Sequence, residues 1–306
     1  MRSKTALVTG ANGFLGRHVS RNLSESGWHV LGLGHGAWTP KEANRWGVAE
    51  WFSNDVTLDA LQDMHARPQV IVHCAGSGSV SYSLTRPLHD FSRTALTLAA
   101  VLEYARTHVP EAVVVYPSSA AVYGNAVSLP IEERAPLLPE SPYGVHKVVA
   151  EQLCLSYASN FNIATVVIRF FSIYGEGLRK QLIWDACKKI YSGDFNFFGT
   201  GEETRDWLHV EDAANLIRTA IVHATPECPI VNGASGRATS VSEILKELFL
   251  NIAPHHVPSF SRREKPGDPK HFQGDVSAAL KWGWSPSIGI NEGLHQYVKW
   301  FKGEVV

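Results

Sequence analysis

The chain alternates short apolar runs with longer stretches in which apolar residues recur every three or four positions. TALVTG (5–10), WHVLGLG (28–34), PQVIVHCAG (68–76), AVVVYPSS (112–119) and IATVVIRFF (163–171) are almost continuously apolar. Strands of that kind belong to a parallel sheet covered by helices on both faces. The intervening segments predict helices over 14–27, about 92–108 and 142–160. This rhythm gives the fold class as α/β, a doubly wound parallel sheet of Rossmann type.

After residue 172 the regularity breaks. QLIWDACKKIYSG (181–193), LHVEDAANLIRTAIVHA (208–224) and SVSEILKELFLNI (240–252) read as helices. A loop with two close glycines, FFGTGEETRDW, separates the first two, and a basic loop, SFSRREKPGDPKHFQGD, precedes a short helix in the tail. The reading is a dinucleotide-binding domain over 1–171, with 207–228 returning to it. Residues 172–206 and 229–306 form a smaller C-terminal α/β substrate region over the carboxyl edge of the sheet, where such folds bind ligands.

Composition narrows the partners. A net charge of -1 over 306 residues gives no reason to expect nucleic acid or an anionic membrane. No run approaches the roughly 20 apolar residues that span a bilayer, and MRSKTALVTGANG enters a strand with no room for a signal peptide. Cys74, Cys154, Cys187 and Cys228 lie far apart without a CxxC, as buried reduced thiols of a cytoplasmic chain would. Among the 14 histidines there is no HExxH and no Cys/His cluster, so no metal is expected.

VTGANGFLG places Gly10, Gly13 and Gly16 between a strand and a helix. Gly10 permits the tight turn, Gly13 the approach of a pyrophosphate, and Gly16 close helix–strand packing; the helix N-terminus then offers unpaired N–H groups to the phosphates. Asn12, Phe14 and Leu15 in the same turn are assigned to the cofactor site with the glycines. An acidic residue at the end of the second strand would exclude a 2′-phosphate. Here Gly34-His35-Gly36 stands there, with Lys41 and Arg45 nearby. His35 is free to donate to a phosphate, which favours NADP(H); NAD is the alternative. Asn54-Asp55-Val56, after the third strand, offers Asp55 to the adenine edge.

SPYGVHK (141–147) opens a helix: Ser141 caps it, Pro142 suits its first position, and Tyr143 and Lys147 fall one turn apart on one face. A nearby ammonium is expected to lower the phenol's pKa from about 10 and make it a usable proton carrier beside a nicotinamide. Ser118-Ser119 ends the strand upstream, where a hydroxyl can hold a substrate carbonyl or alcohol. Alone, YxxxK usually marks an exposed helix face; with the glycine loop and the strand-end serines it reads as a catalytic set.

These residues resemble the extended short-chain dehydrogenase/reductases, in their nucleotide-sugar epimerase/dehydratase/reductase branch. TGANGFLG, HCAG (73–76), SSAAVYG (118–124), SPYGVHK, RFFSIYGEG (169–177), GTGEETRDWLHVEDAA (199–214) and PGD (266–268) carry the likeness in order and spacing over nearly the whole chain. The resemblance implies catalytic Ser119, Tyr143 and Lys147. It also implies Asp55-Val56 at the adenine, Ala75-Gly76 beside the cofactor, and Arg205 on the diphosphate of a nucleotide-diphosphate sugar. Ser172 stands where the family often has a substrate-binding asparagine, Lys265 where an arginine precedes PGD, and Thr94 near a common asparagine. Ala120-Ala121 replaces the acidic pair of 4,6-dehydratases. Glu176-Gly177 and Ala120 replace the histidine and cysteine of epimerase-reductases that invert carbons beside a ketone. Hydride chemistry at C4 of the sugar remains. The expected activity is an NADPH-dependent 4-keto-sugar reductase of surface-polysaccharide synthesis; the alternative is an NAD-dependent 4-epimerase like UDP-glucose 4-epimerase. A dinucleotide-bound scaffold without chemistry is a remote third. Family members commonly dimerise through the helices at 92–108 and 142–160, so a homodimer is expected, with Ala99, Leu102 and Ala105 a stripe that faces either the partner or the sheet.

Overall fold

The computed structural model describes residues 4–126, 128–263 and 271–305; Lys265 lies outside the described residues. The strands are β1 (Thr5–Thr9), β2 (His29–Gly34), β3 (Glu50–Ser53), β4 (Val70–His73), β5 (Val113–Ser119), β6 (Thr165–Phe170), β7 (Ser172–Tyr174), β8 (Asn196–Phe197), β9 (Thr204–His209), β10 (Ile230–Gly233), β11 (Ala238–Ser240) and β12 (Ser259–Phe260). The first six and β10 form one parallel sheet in the order β10-β6-β5-β4-β1-β2-β3. The order reverses at β1, which pairs with both β2 and β4, so the crevice for a ligand opens at its carboxyl end.

The helices are α1 (Phe14–Glu25), α2 (Pro40–Arg45), α3 (Leu58–Asp63), α4 (Val80–Thr85), α5 (Pro87–Phe91), α6 (Thr97–His108), α7 (Pro142–Phe161), α8 (Gln181–Tyr191), α9 (Val210–Ala220), α10 (Val241–Ile252), α11 (Ser277–Lys281) and α12 (Ile290–Val305). Alternate residues of each strand serve opposite faces. Ala6 and Val8 pack with Val19 and Leu23 of α1 and Leu216 and Ile217 of α9. Leu7 and Ile71 pack with Leu98 and Leu102 of α6 and Ala150 and Cys154 of α7. Leu102 and Ala105 are fully buried there and Ala99 is half-buried, so the stripe faces the sheet and not a partner. The four cysteines are free.

The five apolar runs all become strands. The third strand, β3, was covered by none of them: it is a four-residue edge strand, half-exposed, with no apolar run to announce it. The helix expected over 92–108 is broken: α5 passes through a π turn, Ser92–Leu96, before α6 begins. β10 lies within the stretch assigned to the substrate region and pairs with β6 at the edge of the main sheet. A second sheet, β11-β9-β7, packs with α8, α10 and α12 around Ile183, Leu245, Leu248, Leu294 and Phe301. No helix of the described residues is long and apolar enough to cross a membrane.

Candidate active site

The β1–α1 turn is shaped by its glycines. Gly10 has φ +66°, and a Cβ on it would meet the Ala75 nitrogen at 2.6 Å; one on Gly16 would stand 2.1 Å from the Gly10 carbonyl oxygen. Only glycine lets the helix lie that close to the turn. Gly13 caps α1 without a side-chain hydrogen bond, so the first N–H groups of the helix are left for a ligand. This cradle fits the pyrophosphate of a dinucleotide. Phe14 packs toward the second lobe and Leu15 into the core, which leaves their main chain, not their side chains, for a cofactor. The Asn12 amide donates to the His35 carbonyl and ties the turn to the end of β2.

His35 differs from expectation. Its Nε2 lies 3.0 Å from Asp55 Oδ1, both side chains being 69% exposed. The imidazole faces a carboxylate, so a 2′-phosphate placed there would meet Asp55 as well as His35. Asp55 supplies from the end of β3 the negative charge that the end of β2 lacks. Val56 is buried in the core beside it. Arg45 lies over the Trp46 ring, 6.0 Å from its centroid. At the end of β4, the Ala75 N–H donates to Thr9 Oγ1 at 3.4 Å, and Gly76 has φ +138°.

Tyr143 and Ser119 meet. The Ser141 hydroxyl accepts from the Gly144 N–H at 3.2 Å and Pro142 occupies the first turn, as the sequence predicts. A Cβ on Gly144 would lie 2.6 Å from the Ala121 carbonyl oxygen, so glycine lets α7 rest on the turn that follows β5. There the Ser119 side chain comes close enough to the Tyr143 phenol to lower its pKa, and Ser119 Oγ accepts from the Ala121 N–H at 3.2 Å. The Tyr143 N–H donates to Ser83 Oγ of α4 at 3.0 Å.

Lys147 corrects the sequence reading of the pair. It is buried, and its ammonium donates to the Pro117 carbonyl at 3.0 Å, 5.9 Å from the Tyr143 ring centroid and 4.7 Å from that of Tyr116. Burial lowers its pKa to about 8, opposed chiefly by Glu151. The Tyr143 phenol is not made more acidic here. Burial raises its pKa, the Ser119 side chain works against that, and the charge of Asp90 adds to it.

A buried polar network supports this set, and the sequence reading missed it. Glu151, one turn beyond Lys147, accepts from Ser118 Oγ at 2.5 Å and from Arg169 Nη2 at 2.7 Å. Arg169 also donates to the Tyr123 hydroxyl at 3.1 Å and to the Glu133 carbonyl at 2.8 Å. The signal was an arginine inside an apolar strand, which demands a buried partner. Of the residues expected to meet a substrate, Ser172 opens β7 and Arg205 lies on β9 beside it; Ser172 is in register with Trp207, and Arg205 shares the Trp207 face by the two-residue period. Arg205 Nη1 donates to the Thr204 carbonyl at 2.8 Å.

A family model described as NAD dependent epimerase/dehydratase matches residues 6–232. The chain belongs to this family. It is 28% identical over 307 residues to a putative UDP-glucose 4-epimerase of Methanocaldococcus jannaschii, covering 97% of this chain and 98% of that one. Its fold superposes with a TM-score of 0.90 on the UDP-glucose 4-epimerase of Thermotoga maritima solved with UDP-glucose, at 24% identity over 99% of this chain and all of that one. A variant of a Bacillus cereus UDP-glucuronic acid 4-epimerase, solved with a fluorinated UDP-sugar and NAD, superposes with a TM-score of 0.87 at 25% identity, over 98% and 99% of the two chains. The epimerase/dehydratase family is thus the extended short-chain dehydrogenase/reductase branch that the motifs resemble.

Proposed function

We propose that this chain is an NAD-dependent nucleotide-sugar 4-epimerase. The observation that carries the reading is the placing of Tyr143 and Lys147 of α7 against the turn that holds Ser119, in a chain that matches a putative UDP-glucose 4-epimerase along 97% of its length. This replaces the NADPH-dependent 4-keto reductase. The preference for NADP(H) rested on the missing acidic residue at the end of the second strand and on His35 as a phosphate donor, and Asp55 brings a carboxylate up to His35; a related epimerase was solved with NAD.

A bound nicotinamide dinucleotide supplies a reversible hydride acceptor, and its pyrophosphate would lie on the Gly10–Gly16 turn. Tyr143, as phenolate, takes the proton of the sugar's C4 hydroxyl while Ser119 holds the same oxygen. Burial disfavours that phenolate, and Lys147, whose ammonium lies 5.9 Å from the Tyr143 ring centroid, is the protein cation on hand to favour it. Once the sugar's ketone has presented its other face, Tyr143 returns the proton to that oxygen, so the reaction is redox-neutral over the cycle. Arg205, Ser172 and Lys265 are the proposed contacts to the nucleotide-diphosphate sugar. The proposed assembly is a homodimer through Leu84, Leu88, Leu96 and Val145, which are exposed on α4, α5, the π turn and α7.

Incubation with UDP-glucose or UDP-glucuronic acid, followed by proton NMR of the sugar, tests the reading. The expected product is the C4 epimer with no net change in nicotinamide absorbance. Stoichiometric oxidation of NADPH by a 4-keto sugar, without epimerisation, would return the assignment to the reductase.

A further inference from the structure

Lys147 has to keep its proton where the surroundings oppose a charge. Its side chain is 6% exposed, and burial lowers its pKa to about 8. A buried ammonium is ordinarily paired with a carboxylate, yet Lys147 forms no ion pair among the described residues. Glu151, one turn along α7, is taken up by Arg169 at 2.7 Å and by the Ser118 hydroxyl at 2.5 Å. The ammonium donates to the Pro117 carbonyl at 3.0 Å.

What lies against the ammonium is a ring. Lys147 Nζ stands over Tyr116 of β5, 4.7 Å from the ring centroid, closer than its 5.9 Å to Tyr143. Tyr116 is 1% exposed and its hydroxyl is buried with no protein partner, so the ring and not the hydroxyl makes the contact. The ring is backed from β4, where His73 stacks along it at 6.2 Å and 27°. Thr9 Oγ1 at 2.8 Å and Thr97 Oγ1 at 3.2 Å hold the two nitrogens of His73. Burial pushes His73 down to about 3, so it stands there neutral and does not compete as a cation.

We infer that Tyr116 is a positioning residue for the proposed reaction: the face of its ring holds the Lys147 ammonium where the Tyr143 phenol needs a cation. The inference rests on the epimerase reading for its chemical purpose. An aromatic face attracts a cation within about 6 Å of its centroid, more strongly where water is excluded. A carboxylate in that place would also hold the ammonium, but it would repel the phenolate beside it. A neutral ring does the first without the second.

The other groups that bear on the ammonium stay as they are when residue 116 is changed. On β4, burial pushes the Cys74 thiol up to about 12. On α7, burial raises Cys154 and Tyr143, and Glu151 is paired with Arg169 of β6. Asp90 of α5 meets His146 at 2.6 Å, Tyr82 of α4 meets His89 at 2.6 Å, and Arg93 of the π turn is exposed.

A carbon-13 NMR titration of the lysine ε-carbons in the NAD-loaded protein tests this, with the Lys147 signal identified by its loss in Lys147→Met. Tyr116→Phe keeps the ring and leaves the midpoint where it was. Tyr116→Leu removes the ring and moves the midpoint about one pH unit lower. Replacing Tyr116 with pentafluorophenylalanine keeps the shape of phenylalanine and reverses the charge of its face, so the midpoint falls further with no cavity to account for it. Lys147 serves as the ammonium, so activity is lost as the pH rises through its pKa. The basic limb of kcat/KM for UDP-glucose therefore moves down in the same order, with about tenfold less activity beyond it for each unit. A pentafluorophenylalanine protein that titrates like Tyr116→Phe overturns the inference, as does a displacement by Tyr116→Phe equal to that of Tyr116→Leu. If Tyr116→Leu does not fold, the two aromatic replacements decide alone. The expected order of lysine midpoints in a protein that fails to invert C4 would leave the inference standing and remove the epimerase reading instead.

Discussion

Tyr143 shows what a single residue owes to its surroundings. Its place on α7 follows from local chemistry: a serine cap, a proline in the first turn and a glycine that lets the helix settle on the 119–121 turn. Its proton affinity follows first from burial, which raises it, and then from Ser119 at the end of β5, which lowers it. Tyr143→Phe keeps the ring and removes the proton carrier. Turnover is expected to fall by about 10²–10⁴-fold with NAD binding retained, as a fluorescence titration of the cofactor would record. Intact turnover would remove the phenol from the chemistry. The contrast explains which site residues were legible. The glycine loop and the Tyr-Lys spacing are written in consecutive residues. The pairing of His35 with Asp55 comes from the ends of neighbouring strands β2 and β3 and appears in no local pattern. The burial that raises the Tyr143 pKa is likewise non-local.

Among elements, β6 carries the largest electrostatic demand. Arg169 is 3% exposed in a strand whose other residues are apolar or hydroxyl-bearing, and Glu151, 1% exposed, answers it from α7. Arg169→Met leaves Glu151 buried beside Ser118 without its cation, and the expected loss is about 3–5 kcal/mol in urea unfolding. Loss below about 1 kcal/mol would mean that the network relaxes around Ser118 and Tyr123. A second bridge joins α1 to α9. Glu211 accepts from His18 Nδ1 at 2.6 Å and from Arg21 Nη2 at 2.5 Å, and although burial opposes it, the two partners hold its carboxyl down at about 2. A depressed carboxylate stabilises the fold fully above its unfolded value near 4.5, and that contribution drains away as the pH falls through about 2. With solvent screening of a partly exposed group, about 1–2 kcal/mol is at stake. Urea midpoints should therefore drop between pH 5 and pH 3 in the parent, and less steeply in Glu211→Gln; parallel slopes would deny Glu211 this role.

At the scale of the molecule, the parallel core was the most legible part, because strands buried on both faces advertise themselves as apolar runs. The second lobe was less so. Its long final helix, α12, buries Leu294, Tyr297, Val298 and Phe301 at helical spacing, yet Gly293, Gly303 and scattered charges dilute that signal. The exposed leucines of α4, α5 and the π turn belong to elements that pack with α7, Leu88 at 78% exposure being the most open of them. Leu88→Lys is expected to convert a dimer to a monomer in light scattering without loss of thermal stability. A parent protein that is already monomeric at tens of micromolar would remove the association from the proposal.

The chain crosses between the two sheets with almost nothing to spare. Phe171 alone separates β6 from β7, and β9 runs at His209 directly into α9. At these two crossings no loop intervenes about which one lobe could swing against the other, since hinges need loop or terminal residues free to change their backbone angles; the β10–β11 and α11–α12 links are loops. On the proposed reading, capture of a sugar nucleotide is expected to proceed by small displacements of the loops that rim the crevice. The radius of gyration in solution scattering should stay constant on saturation with ligand, while amide exchange slows only around that rim.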